Sequence, residues 1–341
     1  MARHRQAFLE VVGRVLDSGS LLLGPELLRF ERAFAQFTGG AQCVGVASGA
    51  SALQLALAAL GVGQGDEVIV PAMTAVPTAS AVCAVGAVPV FADVELSTAT
   101  IDPSAVQCAV TPRTRAVIGV HLYGRPFDVS ALSAAVGVPI VEDSAQAHGA
   151  TREVTGAVAA YSFYPTKNLG GVGDGGAVVT DDVVLAARVR RLRAHGASEQ
   201  YVHVDISQNH RISEIESAWL ALTLPHLAAD NERRRQIVAA YRAAAPHLTW
   251  QADHATHVYH LAVVRASDRA ALRDHLQSRG VSSAVHYPLA LTQQPAYAHF
   301  VTDACPNAEL WSAGCVSMPC FPELTDAEVE LVCAALEAAP A

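Results

Sequence analysis

Residues 162–171 read SFYPTKNLGG, and the lysine in that stretch, Lys167, is the only one in a chain of 341 residues whose other basic side chains are all arginine. Arginine cannot act as a neutral amine in a protein, whereas a desolvated lysine gives up its proton readily. The lone lysine is therefore either an accident of an arginine- and alanine-rich composition or a position that requires a primary amine. Around it, AAYSFYPTKNLG (159–170) ends an aromatic strand with Ser162 and then Lys167, and the glycine-rich GGVGDGGAVVT (170–180) lets backbone come close to a ligand.

Further outward, short β-branched runs recur: VGVA (44–47), EVIV (67–70), VPVF (88–91), RAVIGV (115–120) and VPIVED (138–143), separated by alanine-rich helical stretches. That rhythm predicts an α/β fold with a mostly parallel sheet and helices on both faces. Ligands in such sheets sit beyond the carboxyl ends of the strands, so the residues that follow each strand carry the function. Past about residue 195 the pattern changes. Two helices broken near Pro225 lead to HVYHLAVV (257–264), a helix over 267–280, VSSAVHY (281–287) and a last helix from Thr325. This βαβ-like set predicts a small C-terminal lobe that begins near residue 230.

Composition sets bounds. Half the chain is apolar (51%), which suffices for a large core plus a smaller lobe. A net charge of −9 with scattered arginines gives no basic stripe for nucleic acid, and the run Arg233–Arg235 reads as a solvated helix face. No stretch approaches the roughly twenty apolar residues that cross a bilayer, and the first twenty residues lack a signal-peptide pattern, so a cytoplasmic protein is expected. Seven cysteines without metal-ligand spacing read mostly as small core residues, with no metal site and no disulfides.

Three strand ends offer matching chemistry. VASGASALQLAL (46–57) is strand, tight turn and helix, and it aims the backbone N–H groups of Ala50 and Ser51 at one point; this is a phosphate cradle or simply a capped turn. VPIVEDSAQAHGA (138–150) runs a buried strand into Glu142, Asp143, Gln146 and His148, where the acid is either a helix cap or the partner of a cationic ring nitrogen. The third end carries Ser162 and Lys167. An anion cradle, a carboxylate for a ring nitrogen and a desolvated lysine are together what pyridoxal phosphate requires.

These residues carry a resemblance. VEDSAQAHGA and SFYPTKNLGGVGDGGAVVT, with LLLGPELLRFERAFA (21–35), SGASAL, the 101–128 segment, HYP (286–288) and SMPCFPELTDAEV (317–329), resemble the DegT/DnrJ/StrS family of sugar aminotransferases over nearly the full length. The resemblance implies an aspartate aminotransferase type of fold: a large cofactor-binding domain (1–230) with a mostly parallel seven-stranded sheet flanked by helices, and a smaller α+β domain (231–341). It implies that Lys167 bonds the pyridoxal 5′-phosphate and then moves protons, that Asp143 pairs with the pyridine nitrogen, that Gln146 lies by the ring's 3-oxygen, and that Ala50, Ser51 and Ser162 hold the phosphate. It further implies a homodimer in which Asn209, in QNHRISEIESA (208–218), reaches the neighbouring subunit's phosphate, with His286 and Tyr287 on the substrate side.

The chain also departs from that pattern. Ala75 stands where an aromatic residue usually stacks on the cofactor, the segment 150–163 is shortened, and Thr292 replaces a histidine. The resemblance implies transfer of an amino group from glutamate or glutamine to a keto sugar, with a nucleotide-linked (for example dTDP) keto-deoxyhexose expected. A keto-cyclitol substrate, or a regulatory descendant that binds without turnover, are the alternatives.

Overall fold

The computed structural model describes residues 4–151 and 153–340. Seven strands form the large sheet: β1 (Gln42–Val46), β2 (Glu67–Pro71), β3 (Val88–Ala92), β4 (Thr114–Val120), β5 (Ile140–Asp143), β6 (Val158–Ser162) and β7 (Gly176–Thr180), in the spatial order β1-β7-β6-β5-β4-β2-β3. Only β7 runs against the others, pairing antiparallel with both β1 and β6. The central strands are buried along their length because helices cover both faces, which is why they read as continuous apolar runs.

The helices are α1 (Arg5–Ser18), α2 (Pro25–Thr38), α3 (Gly49–Ala59), α4 (Val76–Ala84), α5 (Pro103–Ala109), α6 (Val129–Ala135), α7 (Val183–Arg193), α8 (Glu214–Thr223), α9 (Leu227–Ala244), α10 (Arg269–Ser278), α11 (Pro306–Gly314) and α12 (Asp326–Glu337). On one face α3 and α4 pack a cluster with Val44, Val70 and Ile118, which Trp311 of α11 helps to close. On the other, α2 and α8 enclose Phe30, Phe34, Phe163 and Trp219. Among the described residues no helix is long and apolar enough to cross a membrane.

A hairpin of β8 (Ala197–Glu199) and β9 (Val202–His203) projects beyond α7. The C-terminal sheet consists of β10 (Thr249–Trp250), β11 (Ala262–Arg265) and β12 (Cys315–Met318), and α9, α10 and α12 pack a separate apolar cluster with it. This sheet corrects the βαβ-like reading, since all its pairings are antiparallel. The run 257–264 becomes a strand only at Ala262, because Tyr259 takes a left-handed φ of 44° that breaks the extended backbone. Segment 281–287 contributes a single bridge, Ala284 to Ser317, and then turns at Tyr287, where φ is 64°. The break near Pro225 is a 3-10 turn, Leu224–His226, between α8 and α9.

Two further expectations change. Cys43, Cys305 and Cys315 are buried, but Cys83 and Cys108 are exposed, so fewer cysteines than expected are core residues; all seven are free. Arg234 is not on a solvated face, being buried with its guanidinium donating to the Tyr259 and His260 carbonyls at 3.2 and 3.4 Å.

Candidate active site

The carboxyl ends of β1, β5 and β6 lie on one edge of the sheet, and each delivers a polar residue there. At the end of β5, Asp143 is buried; its Oδ2 accepts from the Thr78 hydroxyl at 3.0 Å and its Oδ1 from the Ala145 N–H at 3.2 Å. Burial pushes its carboxyl above the usual range, and these hydrogen bonds and the nearby Lys167 charge oppose the rise. Thr78 comes from α4 and bonds Thr74 at 3.1 Å, so the first turn of that helix holds the carboxylate in place.

After β6 the chain turns through Pro165, and the Lys167 N–H donates to the Tyr164 carbonyl at 2.8 Å. Burial lowers the Lys167 ammonium from 10.5 to about 8, with the Asp143 charge working against the fall. Lys167 lines a cavity of about 570 Å³ together with Tyr164, Arg234, His260, His286 and Tyr287. A second cavity, of about 430 Å³, lies between α3, α4, α7 and residues 205–208 and contains none of these residues.

The turn after β1 is capped from within. Ser48 Oγ accepts the Ser51 N–H at 3.0 Å, so of the first N–H groups of α3 those of Gly49 and Ala50 remain for an anion. The Ser51 N–H, which the resemblance directs at a phosphate, donates to the Ser48 hydroxyl here. A Cβ at Gly49 would come within 2.6 Å of the Ser162 Cβ, so only glycine lets the helix end and Ser162 share one spot. The Ser51 hydroxyl lies 3.1 Å from His210 Nδ1. His210, not Asn209, therefore reaches this chain's own cradle. Asn209 is exposed, and its Oδ1 accepts from the backbone N–H and guanidinium of Arg211.

Gln146 sits between two tyrosines, with its Oε1 accepting the Tyr123 N–H at 2.9 Å and its Nε2 donating to the Tyr287 hydroxyl at 3.0 Å. The two rings stack at 6.1 Å, and both residues hold left-handed φ values near 60° that tyrosine rarely adopts. The backbone spends strain on aiming these rings. Burial and the Asp143 charge keep the Tyr287 hydroxyl protonated. His286 Nδ1 lies 2.8 Å from Ser317 Oγ, and burial with the Lys167 charge lowers its pKa.

The glycine-rich loop after Lys167 is pinned from α8. Glu216 is buried and accepts the Val172 N–H, and a Cβ at Gly171 would collide with its Oε1. Burial raises its carboxyl to about 7.

Of the departures, Ala75 offers only a methyl group at the N-cap of α4, whereas Thr292 does not line the Lys167 cavity and its hydroxyl is enclosed without a partner. Sequence reading missed Arg234, His260 and Asn168. The spacing of Asn231, Arg234, Val238 and Tyr241, at three- and four-residue steps along α9, is the signal that places Arg234 on the buried stripe.

An amine beside a buried acid, next to a helix end with open N–H groups and an adjacent serine, fits pyridoxal phosphate. Residues 3–337 match the DegT/DnrJ/EryC1/StrS aminotransferase family. The chain is 44% identical over 328 residues to the dTDP-3-amino-3,4,6-trideoxy-alpha-D-glucose transaminase of Streptomyces venezuelae, covering 92% of this chain and 86% of that protein. It is also 44% identical, over 340 residues, to the erythromycin biosynthesis sensory transduction protein EryC1 of Saccharopolyspora erythraea, covering 95% of this chain and 93% of that one. The crystal structure of S. venezuelae DesV in complex with a ketimine intermediate superposes with a TM-score of 0.95 at 42% identity, covering 98% of this chain and 95% of that one. With its sheet order, its lysine and its acid all accounted for, the chain belongs to the DegT/DnrJ/EryC1/StrS aminotransferase family.

Proposed function

We propose that this protein is a pyridoxal-phosphate transaminase that moves an amino group from L-glutamate or L-glutamine to a nucleotide-linked keto-deoxyhexose. The observation that carries this reading is the sole lysine, held near neutrality in a cavity beside a buried aspartate. Bound pyridoxal phosphate supplies an electron sink for the carbon that gains or loses the amine.

The chain's own residues then have distinct tasks. Lys167, whose ammonium titrates at about 8, is the covalent anchor and afterwards passes a proton to and from the reacting carbon. Asp143, fixed by Thr78 and the Ala145 N–H, would pair with the pyridine nitrogen of bound cofactor and stabilise its positive charge. The Gly49 and Ala50 N–H groups, with the Ser51 and Ser162 hydroxyls, hold the phosphate, and Gln146 and Tyr287 orient the ring's oxygen side. His286 and Tyr287 face the sugar. The similarity to the dTDP-sugar transaminase and to DesV supports this substrate class.

The active unit is a homodimer in the cytoplasm, where its water-soluble substrates reside. Tyr201, Val202, Val204 and Ile206 expose apolar side chains just before Asn209, a surface suited to burial against a second copy, with Asn209 carried toward the neighbour's phosphate. Each subunit divides into residues 1–230, which bind the cofactor, and 231–341, which close the substrate side; the boundary falls within α9. The name of EryC1 favours a second reading, a regulatory protein that binds without turnover. The lysine and acid argue for catalysis, because a site without chemistry has no use for an ammonium held at an energetic cost.

The test is the visible spectrum of the purified, cofactor-loaded protein. Bleaching of the yellow colour by glutamate, and its return on adding a dTDP-linked keto-deoxyhexose, is the expected result. A colour that neither glutamate nor glutamine changes would refute transamination.

A further inference from the structure

Beside Lys167 a chain of amide hydrogen bonds fixes which nitrogen of a cavity histidine carries the proton. Asn231, buried on α9, donates its Nδ2 to the His148 carbonyl at 2.7 Å, so its Oδ1 faces the other way as an acceptor. Asn168, the residue after Lys167, donates its Nδ2 to that Oδ1 at 2.8 Å and to the Val258 carbonyl at 3.0 Å. Both donors of Asn168 point away from His260, and its Oδ1 lies 3.2 Å from His260 Nδ1. An oxygen that can only accept requires Nδ1 to hold the hydrogen. The imidazole is therefore the Nδ1–H tautomer, with a lone pair on Nε2.

His260 lines the same cavity as Lys167, His286 and Arg234. Burial and the surrounding positive charges of Lys167 and Arg234, with His148 and His286 also facing it, lower its pKa far below the usual value, so the ring stays neutral. Asp230 and Glu323 are the carboxylates that line this cavity. The backbone is equally constrained: the His260 carbonyl accepts from Arg234, and Tyr259 before it is left-handed.

We propose that His260 is a substrate-positioning residue, presenting a bare Nε2 that accepts a hydrogen bond from a hydroxyl of the keto sugar, with the Asn231–Asn168 pair as the device that sets its tautomer. This rests on the sugar-transaminase reading above. The amino-acid donor brings no hydroxyl, so the effect falls on one half-reaction only.

Two substitutions separate the nitrogens. His260→Asn keeps a donor at the δ position and removes the ε acceptor, whereas His260→Gln keeps an acceptor at the ε position. In single-turnover assays of the loaded enzyme, His260→Asn is expected to raise the KM for the sugar about tenfold while the glutamate half-reaction stays within twofold. His260→Gln is expected to recover most of that loss. Equal loss in both half-reactions, or no rescue by glutamine, would overturn the proposal. Independently of activity, ¹⁵N NMR of histidine-labelled, cofactor-free protein is expected to show His260 with a protonated Nδ1 and an unprotonated Nε2, and Asn168→Asp to perturb that signal. An Nε2–H tautomer in the wild type would refute the device even if the enzyme proves to be a sugar transaminase. Wild type that turns over no keto sugar would instead refute the broader function.

Discussion

The clearest physical consequence of the site is that Lys167 destabilises the cofactor-free fold, and replacing it with methionine should stabilise the protein. The ammonium falls from 10.5 to about 8 on folding, which at about 1.4 kcal/mol per pH unit corresponds to about 3 kcal/mol. Below pH 8 the group is protonated in both states, and folding bears the full cost of burying the charge. Between about 8 and 10.5 the unfolded chain binds the proton that the folded chain has released, so stability rises with pH across this window. Above it the cost has gone. The assay is urea unfolding of cofactor-free wild type and Lys167→Met at pH 7, 9 and 10.5. Methionine is expected to lead by about 3 kcal/mol at pH 7, and its lead should shrink steadily through the alkaline points. A lead independent of pH, or a methionine variant less stable than wild type at pH 7, would refute the claim that desolvation governs this amine.

Other outcomes follow from neighbouring groups. Asp143→Asn should still bind the cofactor but slow single-turnover transfer from glutamate by at least about a hundredfold, since a neutral amide cannot stabilise the ring's charge; an unchanged rate in stopped flow would count against its role. Inactive Lys167→Ala and weakened Asn209→Ala chains, unfolded and refolded together, should recover about a quarter of wild-type activity if sites are shared across a two-fold axis, and the absence of recovery would place Asn209 outside the neighbour's site. Glu216→Gln retains an acceptor for the Val172 N–H but removes a carboxyl that burial raises from 4.5 to about 7. Because the folded state holds that proton more tightly, wild-type stability is lost as pH rises from 4.5 to 7, so the variant should gain over wild type at pH 8 and match it near pH 4.5; the opposite order in unfolding experiments would show the charge to be favourable.

Most of the large sheet was legible because buried parallel strands cannot alternate polar and apolar residues, and the runs at β1 to β5 read as short β-branched stretches, whereas β7 lay in a stretch read as a glycine-rich loop. Asp143, Ser162 and Lys167 were legible for a related reason: each closes or follows such a run. The C-terminal sheet was harder to read. Its strands are two to four residues long, and the left-handed Tyr259 and Tyr287 interrupt the very segments whose composition favours extension. Arg234 was hidden by its neighbours Arg233 and Arg235, which are only half-buried and pair with Asp326 and Glu232, and Asn168 and His260 meet across ninety-two positions of chain.

The composition that makes Lys167 conspicuous also turns it into a counting device. No other side chain here bears a primary amine, and this one opens onto a cavity. Apart from the chain's α-amino group, and once the exposed thiols of Cys83 and Cys108 are blocked, an amine-acylating reagent has one address, and a cofactor bound covalently to it blocks it. The intact mass of a briefly acylated sample therefore reports the fraction of loaded subunits directly, without substrate and without knowing which sugar the enzyme serves.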